Sequence, residues 1–407
     1  MGRLKQARLE GPSRGRWASR RSTGTEGLTE EQLRAKESLE SIGYLDGVEA
    51  PPEATNVVLH LADRVTPGVN LVTSAHAPTA FLLDMDGEVL HSWRAPYRKA
   101  FPDSEVADRL VTYWRRTFLL PGGDLLAIFE GQGLIRLTAT SDVVWANDLR
   151  AHHDLHVLDD GSLWVLDRET RLAPEIHPEL VVLEDFVTLL DADGTTQRRV
   201  SLLAALQTSP WAHDWSDWEP GQTGDLMHTN TLHVLDGRIA DVLPAFQAGN
   251  ILLSSFMLDL IFVLDPETEQ VVWAMEGDFR QQHDPQVLDN GNLLLFDNLG
   301  GGAVEGESSA VLELDPATGD VLWAYRGSPG KPFLSETCGL VQRLPDGHTL
   351  VTETDSGRAF EVTPEGEIVW EFYNPFRGGD EGQYIATLME VARLPADMPL
   401  DWISGGR

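Results

Sequence analysis

His153 and His283 each stand eight residues before the glycine of a tight turn, Gly161 and Gly291, and Arg115 holds the same place before Gly123. A fourth turn, at Gly347, puts Gly339 there. His228 and Asn230 lie two residues apart. The Val-Leu pair Val234-Leu235 matches Val157-Leu158, which gives Asn230 the same register as His153. Neutral imidazole can attack, carry a proton or ligate a metal near neutral pH, while guanidinium and carboxamide groups hold oxyanions. Brought together, these types suit transfer of an anionic group. His153, His228 and His283 could instead form a zinc centre with an open position, but the reading adopted has no metal and no cofactor. Around them, His152 is read as a cap on the entrance, and His156 and His233, each just before a Val-Leu pair, as structural. His213 is assigned to a lid, the Trp-rich loop SPWAHDWSDWEPGQTGD, where Asp214, Asp217 and Glu219 could bind a cation, although acidic spacing alone does not define a site.

The elements that must position these residues come from a repeat. An apolar run, a Gly-containing turn, a second apolar run, and an Asp- or Pro-marked turn leading to Trp recur at a period of about 40 to 50 residues, the length of a propeller blade. The clearest copies run from His283 to Trp323 and from Gly339 to Trp370; looser ones run from Arg115 to Trp145, from His153 to about Val200 and from Asn230 to Trp273. Asn70 to Trp93 supplies three strands of a sixth unit, and Ala386 to Pro395 is expected to supply the missing first strand. Such closure leaves no open edge in the ring. The fold class is therefore all-β, a six-bladed β-propeller over residues 56–402, closed by a C-terminal strand that joins the first blade. The repeated Trp93, Trp145, Trp273, Trp323 and Trp370 are read as packing between blades. First strands line the channel of a propeller, so Met389, Arg115, His153, Asn230, His283 and Gly339 are expected to form a ring at one mouth.

Composition narrows the partners. The 407 residues carry a formal charge of −33, although residues 1–22 hold seven basic residues and one acidic. So acidic a body argues against nucleic acid or an anionic membrane surface, and an anionic substrate would need a local cationic pocket. A single Cys, Cys338, excludes an intrachain disulfide framework and is read as a buried thiol. No apolar run has transmembrane length. Residues 1–27 are read as a basic, disordered segment, and 28–55 as a helix and linker with a Thr29/Gln32 capping box; 403–407 form a tail. No apolar stretch of secretory-signal length follows the Arg-rich start.

Several segments in order, HHDLHVLDDGSLWVLD, MHTNTLHVL, GNILLSSFMLDLIFVLD, QHDPQVLDNGNLLLFDN and GRAFEVTPEGEIVWEFYNPF, resemble the bacterial arylsulfotransferase (arylsulfate sulfotransferase) family, a six-bladed propeller family, over most of residues 56–402. The resemblance implies a PAPS-independent transfer of sulfuryl from a phenolic sulfate ester to a phenol acceptor, with His283 of QHDPQ as the nucleophile. It implies that His228 and Asn230 of MHTN hold sulfate oxygens, that His153 is a further active-site histidine, and that the protein works in the periplasm or otherwise outside the cytoplasm. Where the family often has Arg after the paired serines, this chain has Phe256. Arg115, Arg168 and Arg358 are the candidates to replace that cation.

Two other functions compete. A non-catalytic propeller could bind a ligand or partner protein at the channel mouth, which the change at Phe256 favours and the set of His153, His228, Asn230 and His283 disfavours. A quinoprotein-like propeller is suggested by LDPETEQVVW and LDPATGDVLW, but eight blades and a calcium-supported cofactor site are not read here.

Overall fold

The computed structural model describes residues 53–215, 224–301, 308–328, 333–378 and 384–404, with Thr29 alone upstream. The expected basic segment and N-terminal helix therefore lie outside the described residues, apart from Thr29 and the last residues of the linker, as do Asp217 and Glu219 of the Trp-rich loop.

Six antiparallel sheets, five of four strands and one of five, radiate from an axis. Blade one is built on Leu388–Pro395, the C-terminal strand, followed outwards by Gly68–Ser74, Thr79–Leu83 and Val89–Arg94. The innermost strands of blades two to six are Arg116–Leu119, Ala151–Val157, Thr229–Val234, His283–Val287 and Leu340–Arg343. The chain is an all-β six-bladed propeller, and the C-terminal strand closes its ring. Three strands were not anticipated: Asn56–His60, which pairs with Ile368–Tyr373 and makes blade six five-stranded, and the short pair Arg377–Gly378 and Tyr384–Ile385.

Second strands read as unbroken apolar runs because both of their faces are covered. Leu125, Ala127 and Phe129 alternate toward blade one, while Leu126 and Ile128 between them pack on blade three. The same division holds for Leu293 and Leu295 against Leu294 and Phe296. Strand period 2 thus becomes a set of cores, each shared by two neighbouring blades.

The repeated tryptophans do pack there. The indole N–H of Trp93 donates to the Gly123 carbonyl of blade two, Trp145 to Ala192 of blade three, Trp323 to Pro364 of blade six, and Trp370 to Met85 of blade one, at 2.8–3.1 Å. Trp273 instead lies edge-on to Phe246 at 4.9 Å.

A second belt runs around the axis one residue beyond the histidine ring. Glu390 accepts from the Thr117 amide (3.2 Å), Asp154 from Leu232 (2.9 Å), Thr231 Oγ1 from Asp284 (2.9 Å), and Asp284 from Val341 (2.8 Å). Arg116 joins Asp154 and Glu390 at 3.0 and 3.1 Å, and Thr352 accepts from Val391. The inner strands are therefore tied side to side where their own ladders end.

Candidate active site

The expected ring is where strands begin. His283 opens its strand, Asn230 and His153 lie within theirs, and Arg115 and Gly339 stand just before the inner strands of blades two and six. The ladder is irregular here: register shifts fall between Thr229 and Thr231 and between His283 and Gln286. His153 and His228 have φ of 53° and 46°, and Asp284 has 54°. Left-handed backbone is costly outside glycine, and with the bulges it re-aims side chains at a strand end, a pattern concentrated at functional sites.

The histidines converge. His153 and His228 have ring centroids 5.1 Å apart, and Phe256 stands between His228 (5.2 Å) and His283 (5.8 Å). All three histidines are buried.

His283 is oriented through Nδ1, which lies 2.8 Å from Asn298 Oδ1 and 3.1 Å from the Gln281 carbonyl. The Asn298 amide nitrogen donates to the carbonyls of Ser335 and Cys338, so its oxygen must face His283. Two acceptors against Nδ1 put the proton there. The Nε2 lone pair is then left bare, and Nε2 has no hydrogen-bond partner among the described residues. Burial, with the charges of Arg115 and His228, lowers the His283 pKa to about 3, against the opposing bonds to Asn298 and Gln281. The ring is neutral at ordinary pH.

His228 differs. Burial disfavours its charged form, but Asp225, 2.5 Å from Nδ1, and Asp185 nearby outweigh burial and raise its pKa. It can carry a proton next to a neutral imidazole, an arrangement that separates an acid from a base.

Positive charge faces the same place. Arg115 bears on His153 and His283, and Arg168 on His152, His153 and His228. Arg168 is held 3.3 Å from Glu130. It reaches in past Gly131, where a Cβ would lie 2.5 Å from its guanidinium. Glu130, His152 and His153 are close enough to share a cation, but Arg168 already lies against Glu130.

A family model described as Arylsulfotransferase (ASST) matches residues 116–375, more than half of the chain. The chain belongs to this family. No curated protein matches it. Similar solved structures include a protein of unknown function from Bacteroides caccae (12% identity, 79% of this chain and 97% of that chain, TM-score 0.49). Others are the WD40 β-propeller domain of Doa1 (9%, 81% and 79%, TM-score 0.41) and virginiamycin B lyase from Staphylococcus aureus with quinupristin (9%, 80% and 87%, TM-score 0.42).

In this arylsulfotransferase-family propeller the expected residues are not all alike. Arg115, Arg168, His153, His228 and His283 are brought together. Asn230 stands beside His283 as a brace, its amide donating to the Gln282 carbonyl at 2.8 Å. Arg358 is held in ion pairs with Glu353 (3.0 Å) and Glu371 (2.5 Å) on blade six. Its third-strand position carries it away from the axis. His152 is buried within the site rather than capping an entrance, His156 and His233 pack on each other at 5.1 Å, and His213 packs on Trp215 at 4.2 Å. Cys338 is buried.

Glu130, Asn298, Asp185 and Asp225 were not anticipated. A signal for two of them was present. Seven residues after each turn glycine, Gly123, Gly161, Gly249, Gly291 and Gly347, come Glu130, Arg168, Phe256, Asn298 and Thr354, four of them just past the end of a second strand and Arg168 within the longer Leu163–Leu172. The site is thus two concentric sets of equivalent positions.

Proposed function

We propose that the protein moves a sulfuryl group from a phenolic sulfate ester to a phenol, without PAPS, through a sulfo-His283 intermediate. The observation that carries this reading is the bare, buried Nε2 of His283, fixed by Asn298 and flanked by His228, whose pKa Asp225 raises, and by two guanidinium groups.

In the first half-reaction Nε2 attacks sulfur, an N–S bond forms, and the aryl S–O bond breaks. The departing phenolate takes the proton of His228, which is left neutral beside Asp225. In the second half the acceptor phenol returns a proton to neutral His228 and attacks sulfur, and the N–S bond breaks to restore His283. One difficult transfer becomes two easier ones. Arg115 and Arg168 face the charge carried by the sulfuryl oxygens, stabilisation that is strongest in a buried site. They supply the cations that the strand ending at Phe256 lacks.

The test follows 4-nitrophenol release from 4-nitrophenyl sulfate with and without a phenol, beside His283→Ala. Release that depends on acceptor and is lost in the variant is the expected result. No release by folded protein across several donors and acceptors would leave a ligand-binding propeller.

A further inference from the structure

Phe256 has no part in the transfer just described, yet its ring stands between the acid and the nucleophile, its centroid 5.2 Å from that of His228 and 5.8 Å from that of His283. It holds the place in blade four that Glu130, Arg168, Asn298 and Thr354 hold in theirs. Those four all make polar contacts: Glu130 and Arg168 pair at 3.3 Å, Asn298 orients His283, and Thr354 Oγ1 accepts from the Gly339 amide. Phe256 brings only an apolar ring.

Backbone holds that ring from both sides. The Phe256 amide donates to the His228 carbonyl at 3.2 Å, and the Met257 amide to the Met227 carbonyl at 3.1 Å. On the other side the side-chain amide of Gln282, the neighbour of His283, donates to the Ser255 carbonyl at 3.2 Å. The ring is therefore in place before substrate arrives, which lowers the cost of binding. Its plane is inclined to the two imidazoles by 47° and 75°, so neither stacks parallel on it. His228 and His283 are buried, whereas Phe256 is half-buried and keeps part of its surface open.

The geometry of transfer brings an organic group to this surface. Sulfur must meet His283 Nε2 and the ester oxygen must meet the proton of His228, so the carbon bearing that oxygen lies alongside the ring that touches both. Arg115 and Arg168 respond to the charge of a sulfate and not to what it esterifies. Among the residues brought together here, Phe256 is the one that distinguishes an aromatic ring from an alkyl group, because aromatic pairs gain stability beyond the area they bury.

We propose that Phe256 is the specificity-determining residue of the site: its ring takes the aromatic ring of the sulfate donor, and then that of the phenol acceptor, and so selects aryl over alkyl substrates. The placement of the substrate ring rests on the proposed sulfuryl transfer; a preference of the site for aryl anions can be measured without it.

The experiment is calorimetric binding of benzenesulfonate and cyclohexanesulfonate to full-length wild type, Phe256→Tyr and Phe256→Leu. The two anions have the same charge and similar bulk, and neither contains the ester bond that transfer breaks. Tyrosine keeps the ring, whereas leucine keeps an apolar cover over the histidines without it. The expected result is that wild type and Phe256→Tyr bind benzenesulfonate about three- to tenfold more tightly than cyclohexanesulfonate, and that Phe256→Leu binds the two alike. An undiminished preference in Phe256→Leu, no preference in wild type, or no binding of benzenesulfonate would overturn the proposal. If Phe256→Leu does not fold, Phe256→Ile gives the same reading. Failure of wild type to release 4-nitrophenol, with the preference intact, would count against sulfuryl transfer and leave Phe256 as the aryl-selecting residue of a binding site.

Discussion

Asn298 has two jobs at once: its nitrogen holds the Ser335 and Cys338 carbonyls and its oxygen holds His283 Nδ1. Asn298→Ala should therefore lower kcat by about 100-fold with little change in KM, because the imidazole loses its orientation while the cations that bind the donor remain. Steady-state kinetics would show the split; a change confined to KM would contradict it. The pKa directions also set a pH profile. His283, lowered to about 3, stays unprotonated through mildly acidic pH, whereas His228, raised, acts as acid only while it holds its proton. The expected rate of the first half-reaction is steady from pH 5 to 6.5 and falls on the alkaline side of the usual histidine range. Loss of rate between pH 6.5 and 5 would count against a neutral nucleophile.

The elements explain what could be read from residue types alone. Turn glycines set a register, so His153, His283, Arg115 and Gly339 could be placed on one ring before any coordinates. The same glycines counted forward reach Glu130, Arg168, Phe256, Asn298 and Thr354, but a polar residue at the end of a buried strand looks like an ordinary strand terminus until its neighbour in the next blade is known. Asp225 and Asp185 were hidden differently. The former sits in an irregular connection and the latter in a ten-residue third-blade strand, Val181–Leu190, so neither shares the repeat. The pairing of Arg358 with Glu353 and Glu371 was not legible, because closeness to a strand end says nothing about partners within a blade. At this scale Gly131 is the sharpest test. Its φ is 64° and an added Cβ would meet the Arg168 guanidinium at 2.5 Å. Gly131→Ala should push Arg168 outward and raise KM for the aryl sulfate about tenfold, the loss of a charge-assisted contact of order 1.5–3 kcal/mol. An unchanged KM would show that Arg168 does not hold the donor.

Across the whole molecule, six blades share cores pairwise, and their inner strands are tied by the belt of Glu390, Arg116, Asp154, Thr231 and Asp284. Burial, with Asp154 and Glu390 close by, raises the Asp284 pKa to about 7 despite Arg116 and the Val341 amide. An unfolded aspartate titrates near 4. Between these values the folded state binds a proton that the unfolded state releases, so Asp284 stabilises the fold below about pH 4 and that contribution is lost as pH rises toward 7. Asp284→Asn keeps the acceptor for Val341 and removes the titration, so its melting temperature should gain on wild type as pH increases from 5 to 8. A constant difference would place the titration elsewhere. The same belt brings strands from opposite ends of the chain to one axis, and the ring it closes is what makes separate repeats into a single site.

The most direct measurement is mass spectrometry of protein quenched after mixing with 4-nitrophenyl sulfate and no acceptor. The account predicts one equivalent of 4-nitrophenol in a burst, and one SO3 group on the peptide carrying His283, removed on adding a phenol and absent from His283→Ala. Turnover with no adduct, or an adduct on another residue that turns over as fast, would contradict it.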